Sequence, residues 1–250
     1  MRYTVEFDEV FLGKDLFLVP RYAHRRPACA AIRKGQLWEP TLPAVVQACM
    51  ETFPGSIIHA GTFFGDMIPS FSRQATGSLF CYEPVLENYV LAQLSVNKNG
   101  LDNVVLFHAA IGQTTGDHVT VCIGDADAHL GGASYVVAVD AKLPKTSRTQ
   151  MVATLKLDDL KTQKVSLVHL DLEGFEKAAL LGSTNLLNQQ KPIMIVEDNN
   201  GTCHPVLDNH GYTLLGKVDG NAVYVNARQH KPLIDRLRRG LNGPTPERHA

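Results

Sequence analysis

The sequence predicts an α/β protein: a mostly parallel sheet with helices on both faces, finished by an antiparallel hairpin. Two observations carry this. From residue 56 onward, short apolar strands alternate with longer helical stretches, the pattern of parallel strands joined by crossover helices. At the other end, "YTLLGKVDGNAVYVNA" (212–227) places two apolar runs around a Gly-Lys-Val-Asp-Gly-Asn turn region, an antiparallel pair. A dinucleotide-binding sheet of the standard order is parallel throughout, so the terminal hairpin sets this chain apart.

Residues 1–40 read as irregular apart from strand-like "YTVEF" (3–7), with Pro27 ending any regular element before it. "PTLPAVVQACMETF" (40–53) is a helix, with Ala44, Val45, Ala48 and Cys49 at helical spacing. "SIIHAG" (56–61) is a buried strand and "DMIPSFSRQA" (66–75) a helix in which Pro69 is either tolerated early or kinks it. "GSLFCYEP" (77–84) is the next strand. "LENYVLAQLSVNKNG" (86–100) is a helix with Leu86, Tyr89, Val90 and Leu94 on one face and a glycine stop. "DNVVLFHAAIG" (102–112) gives a third strand. Strand-like "DHVTVCIG" (117–124) and "YVVAVDA" (135–141) flank the Gly- and Asp-rich "GDADAHLGGAS", and "MVATLKLDDL" (151–160) follows. Then come the buried strand "VSLVHLDLEG" (165–174), the helix "FEKAALLGSTNLL" (175–187), the strand "KPIMIVED" (191–198) and the helix "HPVLDNHG" (204–211).

With 250 residues, 44% of them hydrophobic, the chain suits one large core. A formal net charge of -1 argues against broad binding to nucleic acid, and the basic "RLRRG" (236–240) reads as a solvated helix end. The five cysteines are scattered without metal-site or disulfide spacing and read as reduced, buried thiols. The N-terminus lacks a signal-peptide core and no apolar run is long enough to span a bilayer, so the expectation is a soluble, cytoplasmic protein with no membrane partner.

The chemistry gathers at strand ends. Gly61 and Gly65 mark a strand-to-helix turn where backbone approaches a ligand or simply turns tightly. Glu83 ends the next strand about 20 residues on, the place where an acid accepts hydrogen bonds from ribose hydroxyls, and the two together favour an adenosine-containing ligand. Asp171 and Glu173 end the apolar strand "LVHL", while Glu176 reads as a favourable charge at a helix start. Glu197, Asp198 and Asn199 leave "IMIV" as either an acceptor site or an Asx-type turn.

Seven segments in order make the reading specific: "WEP" (38–40), "HAGTFFGD" (59–66), "YEPVLENYVLAQLSVNKNGLDNVVLFHAAIG" (82–112), "GGAS" (131–134), "LKLDDL" (155–160), "LVHLDLEGFEKAALLGS" (167–183) and "PIMIVE" (192–197). Together they resemble the FkbM-type S-adenosylmethionine-dependent methyltransferase family over roughly residues 38–226. The resemblance implies a class I, Rossmann-like methyltransferase sheet of seven strands. The chain is expected to divide into an N-terminal cap segment (1–50), a cofactor-binding methyltransferase domain (51–230) with a lid or insert at 123–150, read from its Gly- and Asp-rich composition, and a C-terminal tail (231–250). The resemblance implies O-methylation of a hydroxyl on a small metabolite, sugar or natural product, with a homodimer compatible with the reading. It places Gly61, Thr62 and Gly65 along the cofactor's methionine part, with His59 and Asp66 in the same turn. Glu83 falls on the ribose beside Pro84, His108 and Ala109 near adenine, Asp171 near methionine and acceptor, and Glu39 near the cofactor amino group.

One departure stands out: where the family has aspartate-x-glycine, this chain has His59-Ala60-Gly61, and neutral histidine accepts only one hydrogen bond. Asp171, Glu197 and Asp198 are the candidate bases, with His169 ranked last as a strand residue pointing away from the crevice. A second option is a Mg2+ ion held by Asp171, Asp198 and Asn199, by analogy with catechol-type O-methyltransferases. A nicotinamide-dependent oxidoreductase and a non-catalytic adenosine-cofactor binder are the rival functions. "GTFFGD" does not supply the full GxGxxG that the first requires.

Overall fold

The computed structural model describes residues 4–162 and 164–240. The chain opens with an antiparallel hairpin, β1 (Phe7–Leu12) and β2 (Asp15–Pro20), turned at Gly13. α1 (Pro27–Arg33) and α2 (Leu42–Thr52) follow. The expectation that residues 1–40 are irregular apart from one strand is corrected here: they hold a hairpin and a helix, and Pro27 opens that helix at its first position, where its missing N–H has no intrahelical partner to lose. Of the expected "YTVEF" strand, Tyr3 lies outside the described residues, residues 4–6 are not strand, and Phe7 opens β1.

The central layer is formed by β3 (Ser56–Ala60), β4 (Leu79–Tyr82), β5 (Val104–Phe107), β10 (Val165–Leu170), β11 (Ile193–Val196), β12 (Tyr212–Val218) and β13 (Asn221–Asn226). Their order across the sheet is β12-β13-β11-β10-β3-β4-β5. The pairs from β11 through β5 are parallel, while β13 runs antiparallel to both β11 and β12. Alternate residues feed opposite layers: Ile57, Leu167 and Ile195 face α2 with α3 (Ile68–Gln74), α4 (Leu86–Lys98) and α7 (Lys231–Gly240). Ile58, Val168 and Val196 face α5 (Glu176–Leu181), α6 (His204–Asn209) and the π-type turn Leu186–Gln190. Pro69 lies in the first turn of α3 and breaks no intrahelical bond. α7 packs against α2, burying Leu233 and Leu237, so residues 231–240 belong to the body of the fold; the rest of the expected tail lies outside the described residues.

The buried face of α4 corrects the sequence reading. Leu86 and Leu94 are among the exposed large hydrophobics, while Glu87, Asn88, Leu91, Ala92, Ser95 and Val96 are buried. The helix packs against β2, and its polar side chains serve that neighbour: Ser95 Oγ accepts from Leu18 N–H, and Tyr22 Oη donates to Asn88 Oδ1. Burial of polar groups with partners costs little, so an apolar count on this helix points to the wrong face.

Strand β5 stops at Phe107, and β6 (Ala110–Ile111) leaves the main sheet to pair with β9 (Arg148–Leu155). β9 pairs in turn with β7 (His118–Gly124), which carries β8 (Tyr135–Val136) on its other side. Of the expected strand "YVVAVDA" only those two residues form one. The 123–150 segment is therefore rooted in strand at both ends, with a 3-10 turn at Gly131–Ala133 in its middle. All five cysteines are buried free thiols, and among the described residues no helix is long and apolar enough to cross a membrane.

Candidate active site

In the main sheet the chain runs outward from β3 through β4 to β5, and in the opposite direction from β10 to β11. The crevice where such an order reverses, at the carboxyl ends of the strands, is where open α/β sheets bind ligands. Here it lies between β3 and β10, and a cavity of about 320 Å³ opens there.

Of the residues singled out from sequence, Glu39, His59, Gly61, Asp66, Glu83, Pro84, Ala109, Asp171 and Glu197 line this cavity. Gly61 is held at φ 84°, and a Cβ there would stand 1.7 Å from the Asp171 carbonyl oxygen. Glycine thus lets the ends of β3 and β10 close on one another while its N–H donates to Tyr82 O. Thr62 and Gly65 form the turn behind the wall. Gly65 has φ 89° and closes the turn through its N–H to Thr62 O. Phe63, missed from sequence, holds a left-handed φ of 49° that brings its N–H to Glu83 Oε2 at 2.8 Å.

Glu83 is 3% exposed and accepts two further bonds at Oε1, from Val85 N and Asn88 Nδ2. Burial nonetheless pushes its carboxyl up to about 7. Burial likewise lifts Asp66 to about 6, against the pull of two backbone N–H donors. Asp171 is raised well above the usual carboxylate range by burial and by the charges of Glu197, Glu39 and Glu173, with a hydrogen bond to Glu197 adding to it. Two acids this close, at the ends of β10 and β11, disfavour ionising together. Arg26 is the single cationic side chain of the wall among the described residues.

Four expectations are corrected. His108 is exposed, its Nε2 3.0 Å from Pro84 O, because the chain turns out of the sheet after Phe107; Ala109 alone of that pair reaches the cavity. Asp198 is turned away from the wall, where its carboxylate accepts from Cys203 N–H, His204 N–H and Tyr224 Oη at the start of α6. It serves that helix start and is unsuited to act as base or metal ligand. With Asp198 so engaged, the trio Asp171, Asp198 and Asn199 does not form a metal site; the acidic group that converges is Asp171, Glu173 and Glu197, with ligand atoms within 4.8 Å of one another. Asn199 is exposed and donates to Glu197 Oε1 at 3.1 Å. His169, expected to point away, lines the cavity because it is the register partner of His59 and shares the face of Asp171 two residues on. Glu176 behaves as read: at the first residue of α5, its Oε1 accepts from Leu172 N–H and Gly174 N–H.

The cavity roof comes from the inserted strands. Gly131, at φ 58°, would place a Cβ 2.6 Å from Ala23 Cβ and 3.1 Å from Phe63 Cζ, so the 3-10 turn closes against both the N-terminal segment and the turn after β3. The signal in the sequence was the "GGAS" segment itself; which wall it touches depends on the pairing of β7 with β9.

The family model for the methyltransferase FkbM domain matches residues 59–214, more than half of the chain. Among solved structures, an FkbM methyltransferase from Methylobacillus flagellatus KT is 14% identical with a TM-score of 0.49, covering 69% of this chain and 43% of that one. A tRNA (uracil-54, C5)-methyltransferase from Pyrococcus abyssi, in complex with S-adenosyl-L-homocysteine, is 10% identical with a TM-score of 0.44, covering 90% of this chain and 45% of that one. A SAM-dependent methyltransferase from Aquifex aeolicus is 13% identical with a TM-score of 0.37, covering 68% and 80%. At such scores these likenesses carry no functional argument. No curated protein matches the chain.

Proposed function

The chain belongs to the FkbM methyltransferase family, and we propose that its cavity binds S-adenosylmethionine and directs methyl transfer to a hydroxyl of a small metabolite, sugar or natural product. The observation that supports this best is the meeting, in one crevice at the sheet's switch point, of the Gly61 turn, buried Glu83 and the Asp171–Glu197 pair. A cavity of about 320 Å³ is of the size that small-molecule sites occupy, and its acid-rich wall suits a ligand carrying positive charge.

When bound, S-adenosylmethionine supplies a methyl group made electrophilic by its sulfonium. The protein's own residues do the rest. Glu83 accepts ribose hydroxyls, and Ala109 leaves room for a flat base beside it. Asp171 and Glu197 stand where the acceptor must enter, and their negative charge favours a cationic centre between them. As the acceptor oxygen forms its bond to carbon and the carbon–sulfur bond breaks, the hydroxyl proton passes to a carboxylate oxygen of this pair. The sulfonium would leave as a neutral thioether with the bonding electrons, and the carboxylate of Asp171 or Glu197 would hold the proton, so the charges balance. No step here uses a divalent cation.

The test is incubation with methyl-labelled S-adenosylmethionine and a fractionated pool of hydroxylated metabolites, followed by mass analysis. The reading predicts a product heavier by one methyl, carried on oxygen. Label found only on nitrogen, on carbon or on RNA overturns the hydroxyl assignment.

A further inference from the structure

His59 and His169 are 2% and 1% exposed, face each other in register on β3 and β10, and have Nδ1 atoms 2.9 Å apart. Both rings meet Phe71 edge-on. Two imidazoles this close and this dry stay neutral: burial with the neighbouring ring holds His59 well below the usual histidine range, and burial holds His169 at about 4. One Nδ1 must therefore carry a proton and the other a lone pair.

The neighbours decide which. Asn221, 1% exposed, donates through Nδ2 to Glu39 Oε1 at 2.6 Å, and a carboxylate accepts only, so the amide oxygen is the end left for His169. Asn221 Oδ1 and His169 Nε2 are both buried and both lack a hydrogen-bond partner, and a proton on Nε2 gives the ring a donor to set against an amide oxygen that can only accept. His169 thus carries its proton on Nε2, toward the amide oxygen. Its Nδ1 is then a bare lone pair, His59 Nδ1–H donates to it, and His59 Nε2 is left as a bare lone pair as well. That atom is buried, has no hydrogen-bond partner, and belongs to a residue that lines the cavity. A buried polar atom in that state asks for a donor.

We propose that the chain Glu39–Asn221–His169 fixes His59 as a neutral hydrogen-bond acceptor for the ammonium group at the amino-acid end of the bound cofactor. This rests on the S-adenosylmethionine reading above and names how the histidine that replaces an expected aspartate serves it. A lone pair rejects a carboxylate and accepts N–H or O–H. An ammonium fits better than a hydroxyl, because Glu39, Asp171, Glu173 and Glu197 together set a negative field in this part of the site. A further aspartate would add a charge to that crowd; a neutral histidine accepts the same hydrogen bond without doing so. His169 and Asn221 act through His59 and are positioning residues.

The experiment compares S-adenosylhomocysteine with 5′-methylthioadenosine, which lacks the amino-acid end, by calorimetric titration of the wild type, His59→Leu and Asn221→Leu. The proposal predicts that His59→Leu weakens S-adenosylhomocysteine about tenfold or more and leaves methylthioadenosine unchanged, which also shows that the variant folds. Asn221→Leu should weaken the same ligand by less. Unchanged S-adenosylhomocysteine affinity in His59→Leu overturns the proposal and leaves the lone pair to an acceptor hydroxyl; equal loss of both ligands also overturns it, making His59 a residue of the fold alone. Long-range proton–nitrogen spectra of the unliganded wild type test the relay separately. They should show the ring proton of His59 on Nδ1 and that of His169 on Nε2, and the opposite tautomers overturn it. If the wild type binds neither nucleoside while the tautomers are as assigned, the cofactor assignment has failed and the relay stands.

Discussion

Replacing Glu83 by glutamine removes a titrating group from the floor of the site while keeping its shape. The wild-type carboxyl is 3% exposed and lifted from 4.5 to about 7 by burial, despite donors from Phe63 N, Val85 N and Asn88 Nδ2. At about 1.4 kcal/mol per pKa unit, roughly 3 kcal/mol stands against the charged form in the empty site. The sign follows from linkage. The folded chain keeps this proton between about pH 4.5 and 7 while the unfolded chain has lost it, so the group favours folding below that window and does so less as pH rises through it. A ligand that donates ribose hydroxyls prefers the ionised form. Between pH 6 and 8 the ionised fraction rises about tenfold, and the affinity for S-adenosylhomocysteine should rise by about the same factor. In Glu83→Gln that part of the rise should vanish, and affinity at pH 8 should fall about tenfold, because the amide turns an N–H toward a backbone donor and accepts fewer bonds. Calorimetric titration at pH 6, 7 and 8 measures both. Wild-type affinity that stays flat across this range, or a glutamine variant that keeps the wild-type slope, refutes the placement of Glu83 on the ribose.

Gly61→Ala should lower stability by about 2–5 kcal/mol in chemical denaturation, since the residue must hold φ 84° and its Cβ meets the Asp171 carbonyl at 1.7 Å. Asp198→Ala should cost about 1–3 kcal/mol by stripping the start of α6 of its acceptor, with S-adenosylhomocysteine affinity unchanged; lost affinity would return Asp198 to the site. Amide exchange across 125–147 should slow when cofactor and acceptor bind, because Gly131 and Gly132 form part of the cavity wall; equal exchange with and without ligands marks a static roof. Methyl transfer should survive EDTA. Activity lost to the chelator and restored by Mg2+ would make Asp171, Glu173 and Glu197 a metal centre instead of a proton acceptor.

Strand ends were legible because their chemistry is local: an apolar run followed by Gly61, Glu83, Asp171 or Glu197 announces both the strand and the edge at which it stops. Faces were harder. On α4, Leu86 and Leu94 point outward while Asn88 and Ser95 are buried, because the helix serves a hairpin whose existence was not read from residues 7–20. His169 faces the cavity through register, which no local pattern carries: only the alignment of β10 with β3 puts it beside His59. Asp198 and Glu197 are adjacent in sequence and opposite in role, since alternation at the end of β11 sends Glu197 into the cavity and Asp198 toward Tyr224. Glu173 joined the acidic cluster through a left-handed φ of 51° that no residue pattern announces.

Competition between two adenosine cofactors tests the central claim most directly. With the full chain in the calorimeter, S-adenosylhomocysteine should bind at one site, and saturating NAD should leave that affinity unchanged. A chain that binds NAD in competition with S-adenosylhomocysteine, or binds NAD and not S-adenosylhomocysteine, contradicts the methyltransferase reading of this cavity.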